Sequence, residues 1–154
     1  IIFLSLLVPL WAAYSEAYTK KDYKWIKSIL KQQIISFFAL TLICIVMALI
    51  GKSIIDNIWI GQETNVDVYL LSTVALLIIV QSWNRIFYYF LSGTGMINIY
   101  CISVVIGAII NIPISIFLAG ALNLGVIGVI IGTIISMLLI SFLAPIKTYS
   151  LLKG

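Results

Sequence analysis

From Ile86 to Ile146 the chain carries no charged side chain over 61 consecutive residues. A helical bilayer crossing needs about 20 predominantly apolar residues, so this stretch alone has room for two. Apolar residues make up 63% of the 154 and charged residues 9%, against roughly 45–50% and about 25% in an ordinary soluble domain. No soluble core absorbs that excess. The sequence therefore predicts an all-α fold, a polytopic transmembrane helical bundle.

Hydropathy and turn signals divide the chain into about five spans, near 1–14, 33–50, 68–91, 97–118 and 126–144. The first is too short to cross alone and opens within a hydrophobic run without a Met, as expected of a fragment of a longer bundle. It has neither the basic leader nor the small-residue cleavage site of a secretory signal. The long uncharged stretch is broken at Ala119-Gly120-Ala121-Leu122-Asn123-Leu124-Gly125, whose glycines and Asn suit a tight hairpin.

Orientation follows from the lysines. Lys20, Lys21, Lys24, Lys27 and Lys31 sit between spans one and two with only Glu16 and Asp22 beside them, whereas Lys52 faces Asp56, Glu63 and Asp67 between spans two and three. Basic loops stay cytoplasmic, so the first loop and the tail with Lys147 and Lys153 are expected inside and Gly51–Asp67 outside. The net charge of +4 then reflects topology and attraction to anionic headgroups, and nucleic acid is not needed as a partner. Within the first loop, Asp22 is the expected N-cap of a short amphipathic helix lying on the membrane surface, with Tyr23, Ile26, Ile29 and Leu30 on one side. Tyr23, Trp25, Trp59 and Tyr69 read as interfacial belt residues.

Polar residues inside spans are costly unless they meet protein or water. On span three Gln81, Arg85, Tyr88 and Ser92 recur at intervals of four, three and four with Asn84 alongside, a stripe that either packs and snorkels or lines a hydrophilic cavity. On span four Ser103, Gly107, Asn111 and Ser115 form an i+4 row, and Pro113 frees the carbonyl of Ile109. On span five Gly128, Gly132 and Ser136 form a second such row, the small-residue pattern of close helix packing.

Enzyme chemistry is hard to build from these residues. The chain has no His, its two cysteines, Cys44 and Cys101, are isolated in different spans as packing residues, and it has no Walker A sequence. Ser92-Gly93-Thr94-Gly95 lacks the preceding strand of a phosphate loop and reads as a turn between spans. No catalytic residue, metal site or cofactor is expected.

Pro9-Leu10-Trp11-Ala12-Ala13-Tyr14-Ser15-Glu16-Ala17, Lys21-Asp22 and the stretch to Lys31 resemble the C-terminal half of bacterial polysaccharide flippases. These belong to the multidrug/oligosaccharidyl-lipid/polysaccharide exporter superfamily. The resemblance continues through Trp59-Ile60-Gly61, Leu91-Ser92-Gly93-Thr94-Gly95, Asn111-Ile112-Pro113 and Gly125-Val126-Ile127-Gly128-Val129-Ile130-Ile131-Gly132-Thr133-Ile134-Ile135-Ser136. It implies a two-bundle transporter of about twelve to fourteen spans working by alternating access, of which residues 1–154 would be most of the C-terminal bundle. The function it implies is translocation of an undecaprenyl-pyrophosphate-linked oligosaccharide across a bacterial inner membrane for O-antigen, capsule or exopolysaccharide assembly. Besides that substrate, membrane lipids and other polysaccharide assembly proteins are the partners it suggests. A pyrophosphate needs a cation and a glycan needs hydroxyl and amide partners. Arg85 is the expected phosphate contact, with Gln81, Asn84, Tyr88, Asn111 and Ser115 for the rest. A multidrug exporter of the same superfamily is the nearest alternative, although spans two to five hold no acidic residue for a cationic drug. A membrane-embedded polysaccharide enzyme and a non-catalytic assembly subunit are the others.

Overall fold

The computed structural model describes residues 7–64 and 66–153, and all their regular structure is helical. The elements are α1 (Leu10–Thr19), α2 (Tyr23–Ile54), α3 (Val68–Gly93), α4 (Asn98–Ile116) and α5 (Gly125–Leu151). At its C-terminal end α2 widens into a π-helical segment over Ile55–Ile60, and α4 does the same over Phe117–Ala121. Four of these helices are long and apolar enough to cross a bilayer: Tyr23–Ile60, Val68–Gly93, Asn98–Ala121 and Gly125–Leu151. This is a membrane-protein architecture.

Local signals account for most of the boundaries. Asp22 caps α2 by accepting from the Trp25 amide at 3.0 Å, and Asp67 caps α3 by accepting from the Tyr69 amide at 2.8 Å, each satisfying an amide that the first helical turn leaves free. Gly61 ends the π segment in the left-handed region at φ 73°. Between α4 and α5 the expected hairpin forms, with Asn123 and Gly125 both at φ 54°.

Two helices run beyond their expected limits, and one expected segment lies partly outside the described residues. The predicted surface helix and span two are one continuous rod: Tyr23–Ile60 is 38 residues, about 57 Å at 1.5 Å per residue, nearly twice the hydrocarbon thickness. No turn residue separates Lys31 from Ile34, so the lysine-bearing turns project from the span. Of the segment near 1–14, residues 1–6 lie outside the described residues. Within its described part α1 begins at Leu10 and runs past Tyr14 to Thr19, ten residues or about 15 Å. The last helix does not stop at Ala144 but continues through Pro145 to Leu151.

Continuation past Pro145 has a specific cause. A proline removes the amide that would bond the carbonyl four residues earlier, here that of Ser141. The Trp83 indole N–H on α3 donates to that same carbonyl at 3.0 Å. The orphaned acceptor is thus satisfied from a neighbouring helix.

Helix α3 is the hub, packing against α1, α2 and α5, and α5 in turn packs on α4. The buried core gathers at the end carrying the lysines: Tyr14 and Ala17 of α1, Ile26 and Leu30 of α2, Phe87 and Phe90 of α3, Ala144 of α5. Lipid tails are as apolar as these side chains, so in a bilayer this core is held by close packing and ring contacts more than by escape from water. The Tyr14 and Phe90 rings meet edge to face at 5.4 Å, and Trp83 and Phe87 at 5.0 Å, contacts of about 0.5–1.5 kcal/mol each. Gly93 lets α1 cross the end of α3, since a Cβ there would stand 2.5 Å from the Trp11 carbonyl oxygen. Away from this core the apolar side chains point outward. Phe38, Leu42, Leu49, Ile109, Ile116 and Phe142 are all exposed, as residues facing hydrocarbon must be.

Helices α4 and α5 meet through their small-residue rows. A Cβ on Gly128 would lie 2.6 Å from the Ala119 nitrogen, one on Gly132 would lie 3.0 Å from Ser115 Cα, and one on Gly107 would lie 2.7 Å from the Ser136 carbonyl oxygen. The two rows interlock along antiparallel axes. Gly128 and Gly132 thus stand against the backbone of Leu118–Ala119 and Ser115, and Ser136 presents its carbonyl oxygen to Gly107.

At the opposite end from the core, Lys52 Nζ lies 2.6 Å from Asp56 Oδ2 and donates to the Thr64 carbonyl at 3.0 Å. The Thr64 amide donates back to Asp56 Oδ1 at 3.0 Å. This clasp folds the loop after Gly61 onto the end of α2 and leaves Trp59 82% exposed.

Candidate functional site

The polar stripe of α3 opens onto a cavity of about 450 Å³. Gln81, Asn84, Arg85, Tyr88 and Tyr89 line it from α3, Tyr100 from the first turn of α4 and Met137 from α5. Spacing explains the α3 contribution, because residues three and four apart share a helix face. The Tyr88 ring lies 5.0 Å from that of Tyr100 and 5.2 Å from that of Tyr89, so one wall is aromatic.

Two groups in this cavity have no protein partner of the kind their chemistry demands. Asn84 is 1% exposed, and neither its amide nitrogen nor its oxygen makes a hydrogen bond. A buried amide with nothing to bond costs roughly 1–3 kcal/mol. Among the described residues the ion pairs are Lys20–Glu16 and Lys52–Asp56, so the Arg85 guanidinium has no carboxylate. The first of these pairs is solvent-exposed. Its mutual hydrogen bond holds the Glu16 carboxyl below its usual range and the Lys20 ammonium above its own.

Arg85 stands eight residues before the end of α3, about 12 Å along the axis. A guanidinium at that depth, next to amide and phenol groups and away from any carboxylate, suits an anionic oxygen ligand. It offers five donors in a planar fork.

The structure brings together Gln81, Asn84, Arg85 and Tyr88 and leaves out the other two residues expected to bind substrate. Asn111 lies eleven residues beyond Tyr100, about 16 Å along α4. Ser115 Oγ donates to Asn111 Oδ1 at 2.7 Å, and Ser115 stands against Gly132 of α5. Neither residue lines the cavity around Arg85. Ser92, the last member of the stripe, is not among the lining residues. Cys101, expected in the packing of span four, is exposed on α4, while Cys44 is buried.

Tyr89, Tyr100 and Met137 were not legible as site residues. Tyr100 joins the wall through its ring contact with Tyr88 across the α3–α4 turn, a pairing that spacing along one helix does not reveal, and Tyr89 differs from the stripe only by lying one residue beside it. Met137 had no signal, since one methionine in an apolar helix is indistinguishable from its neighbours.

The fold and the cavity together define a class, a membrane-spanning helical bundle with a polar, cation-bearing cavity between its helices. Comparison with family models, with curated proteins and with solved structures finds no match to this chain.

Proposed function

We propose that this chain is part of a transporter that moves an undecaprenyl-pyrophosphate-linked oligosaccharide across a bacterial inner membrane, for O-antigen, capsule or exopolysaccharide assembly. The observation that carries the reading is the cavity in which the unpaired Arg85 guanidinium and the unpartnered Asn84 amide stand beside three tyrosines. A pyrophosphate crossing a low-dielectric region needs a compensating cation, and guanidinium binds phosphate oxygens bidentately. Sugar rings take hydrogen bonds from amides and hydroxyls and stack their C–H faces on aromatic rings, which Gln81, Asn84, Tyr88, Tyr89 and Tyr100 can provide. The resemblance in the motifs supplies the rest of the reading, including a second helical bundle to close the cavity and a glycan assembly machinery to supply and consume the substrate.

The aromatic wall favours a second reading, an exporter of amphipathic cations, because tyrosine faces attract ammonium groups. The Arg85 charge in the same cavity opposes it.

Complementation separates the two. In a strain lacking its own flippase, full-length protein carrying Arg85→Gln should insert at wild-type level and restore under a tenth of the surface polysaccharide, a loss equivalent to about 1.4 kcal/mol or more, as expected for a charge-assisted phosphate contact. Arg85→Lys should fall between, keeping the charge but losing the fork. Full restoration by Arg85→Gln at equal expression would remove the phosphate-binding role.

A further inference from the structure

The face of α2 that leaves the bundle at the lysine end carries a second cavity, of about 310 Å³, distinct from the one around Arg85. Its upper rim holds Lys27 and Lys31, one helical turn apart and therefore neighbours on one face. Its lower part holds Ile34, Ile35 and Phe38, the next turns of the same helix, with Ile35 and Phe38 open to the surroundings. Tyr149 of α5 closes one side.

Neither lysine has an acidic partner among the described residues, where both ion pairs engage other groups. From Lys31 to Phe38 is seven residues, about 10 Å. The groove thus runs from two free ammonium groups and a phenol, through a short step, to branched and aromatic side chains directed at hydrocarbon. That is the order of polarity along a glycerophospholipid, from phosphate through glycerol to acyl chains. Basic residues at the end of a span alone would give diffuse attraction to an anionic surface. A concave groove continuing from charge into apolar walls adds a place for the chains. A soluble phosphate would have no use for Ile34, Ile35 and Phe38, and a neutral lipid would leave both ammonium groups unpaired.

The geometry points to a bound anionic diacyl phospholipid of the lysine-side leaflet in this groove, its phosphate between Lys27, Lys31 and the Tyr149 hydroxyl and an acyl chain along Ile35 and Phe38. Such a lipid ties α5 to the projecting start of α2 at a point where the two helices make little direct contact.

The test uses full-length protein in nanodiscs of mixed phosphatidylcholine and phosphatidylglycerol, with co-released lipids counted by native mass spectrometry. Wild type should retain phosphatidylglycerol preferentially, and excess inorganic phosphate should leave that retention unchanged. Lys27→Gln with Lys31→Gln should weaken it roughly thirtyfold, the product of two headgroup charge contacts. Lys21→Gln with Lys24→Gln removes the same charge from the same segment outside the groove and should change it less than threefold. Phe38→Ala, with the charges intact, should also lower retention. All these side chains are exposed, and circular dichroism of each variant checks that the helices are kept. The proposal is overturned if wild type shows no preference, if phosphate displaces the lipid, if Phe38→Ala retains it fully, or if both lysine pairs cost the same.

Discussion

Trp83 illustrates how one side chain decides the course of a helix. Its indole N–H answers the Ser141 carbonyl that Pro145 leaves free, and its ring also stands 5.3 Å from Phe37. Trp83→Phe keeps most of the ring packing and removes the donor, so it should destabilise the protein by about 1–3 kcal/mol, measured as a lower unfolding midpoint in detergent. In a Pro145→Ala background the alanine amide supplies the helical bond, and the cost of Trp83→Phe should shrink by about 1 kcal/mol or more. Equal costs in the two backgrounds would mean that the indole contact is incidental. The sequence hides this pairing because the donor and the freed carbonyl are 58 residues apart. Reading outward from Pro145, helix termination is the natural expectation. The Arg85 stripe was legible for the opposite reason: its members lie on one helix, where spacing alone puts Gln81, Arg85 and Tyr88 together.

At the scale of elements, the α4–α5 pair rests on backbone contact, and each small residue has its own opposite number. Gly128→Ala would drive a methyl group into the backbone at Leu118 and Ala119, so it should cost about 1–3 kcal/mol in the same assay. Gly120→Ala in the adjoining π segment meets nothing within 4 Å and should be near neutral. A neutral Gly128→Ala would show that α4 and α5 are not held at this distance. The same pair explains why Asn111 and Ser115 were misplaced from sequence. A row of small and polar residues at i+4 spacing serves equally to line a cavity or to admit a neighbouring backbone, and only the position of α5 decides which. Likewise the boundary between surface helix and span vanished because the sequence from Lys31 to Ile34 contains a change of polarity but no helix breaker.

For the whole molecule, buried contacts and positive charge share one end. The aromatic core of α1, α2, α3 and α5 lies beside the lysines of the α1–α2 connection, whereas the far end is held by the Lys52–Asp56–Thr64 clasp and the α4–α5 contact. If the lysines mark the cytoplasmic side, then Gln62, exposed in the loop beyond the clasp, faces outward, and Lys24, exposed in the first turn of α2, faces inward. The rod from Tyr23 to Ile60 connects the two, so they must lie on opposite sides if it crosses the membrane. With Cys44 and Cys101 replaced by Ala, a cysteine at Gln62 should react with an impermeant thiol reagent in intact spheroplasts, and a cysteine at Lys24 only after permeabilisation. Labelling of both positions in intact spheroplasts would rule out a crossing by α2, and the inverse pattern would reverse the orientation, placing the lipid groove in the outer leaflet.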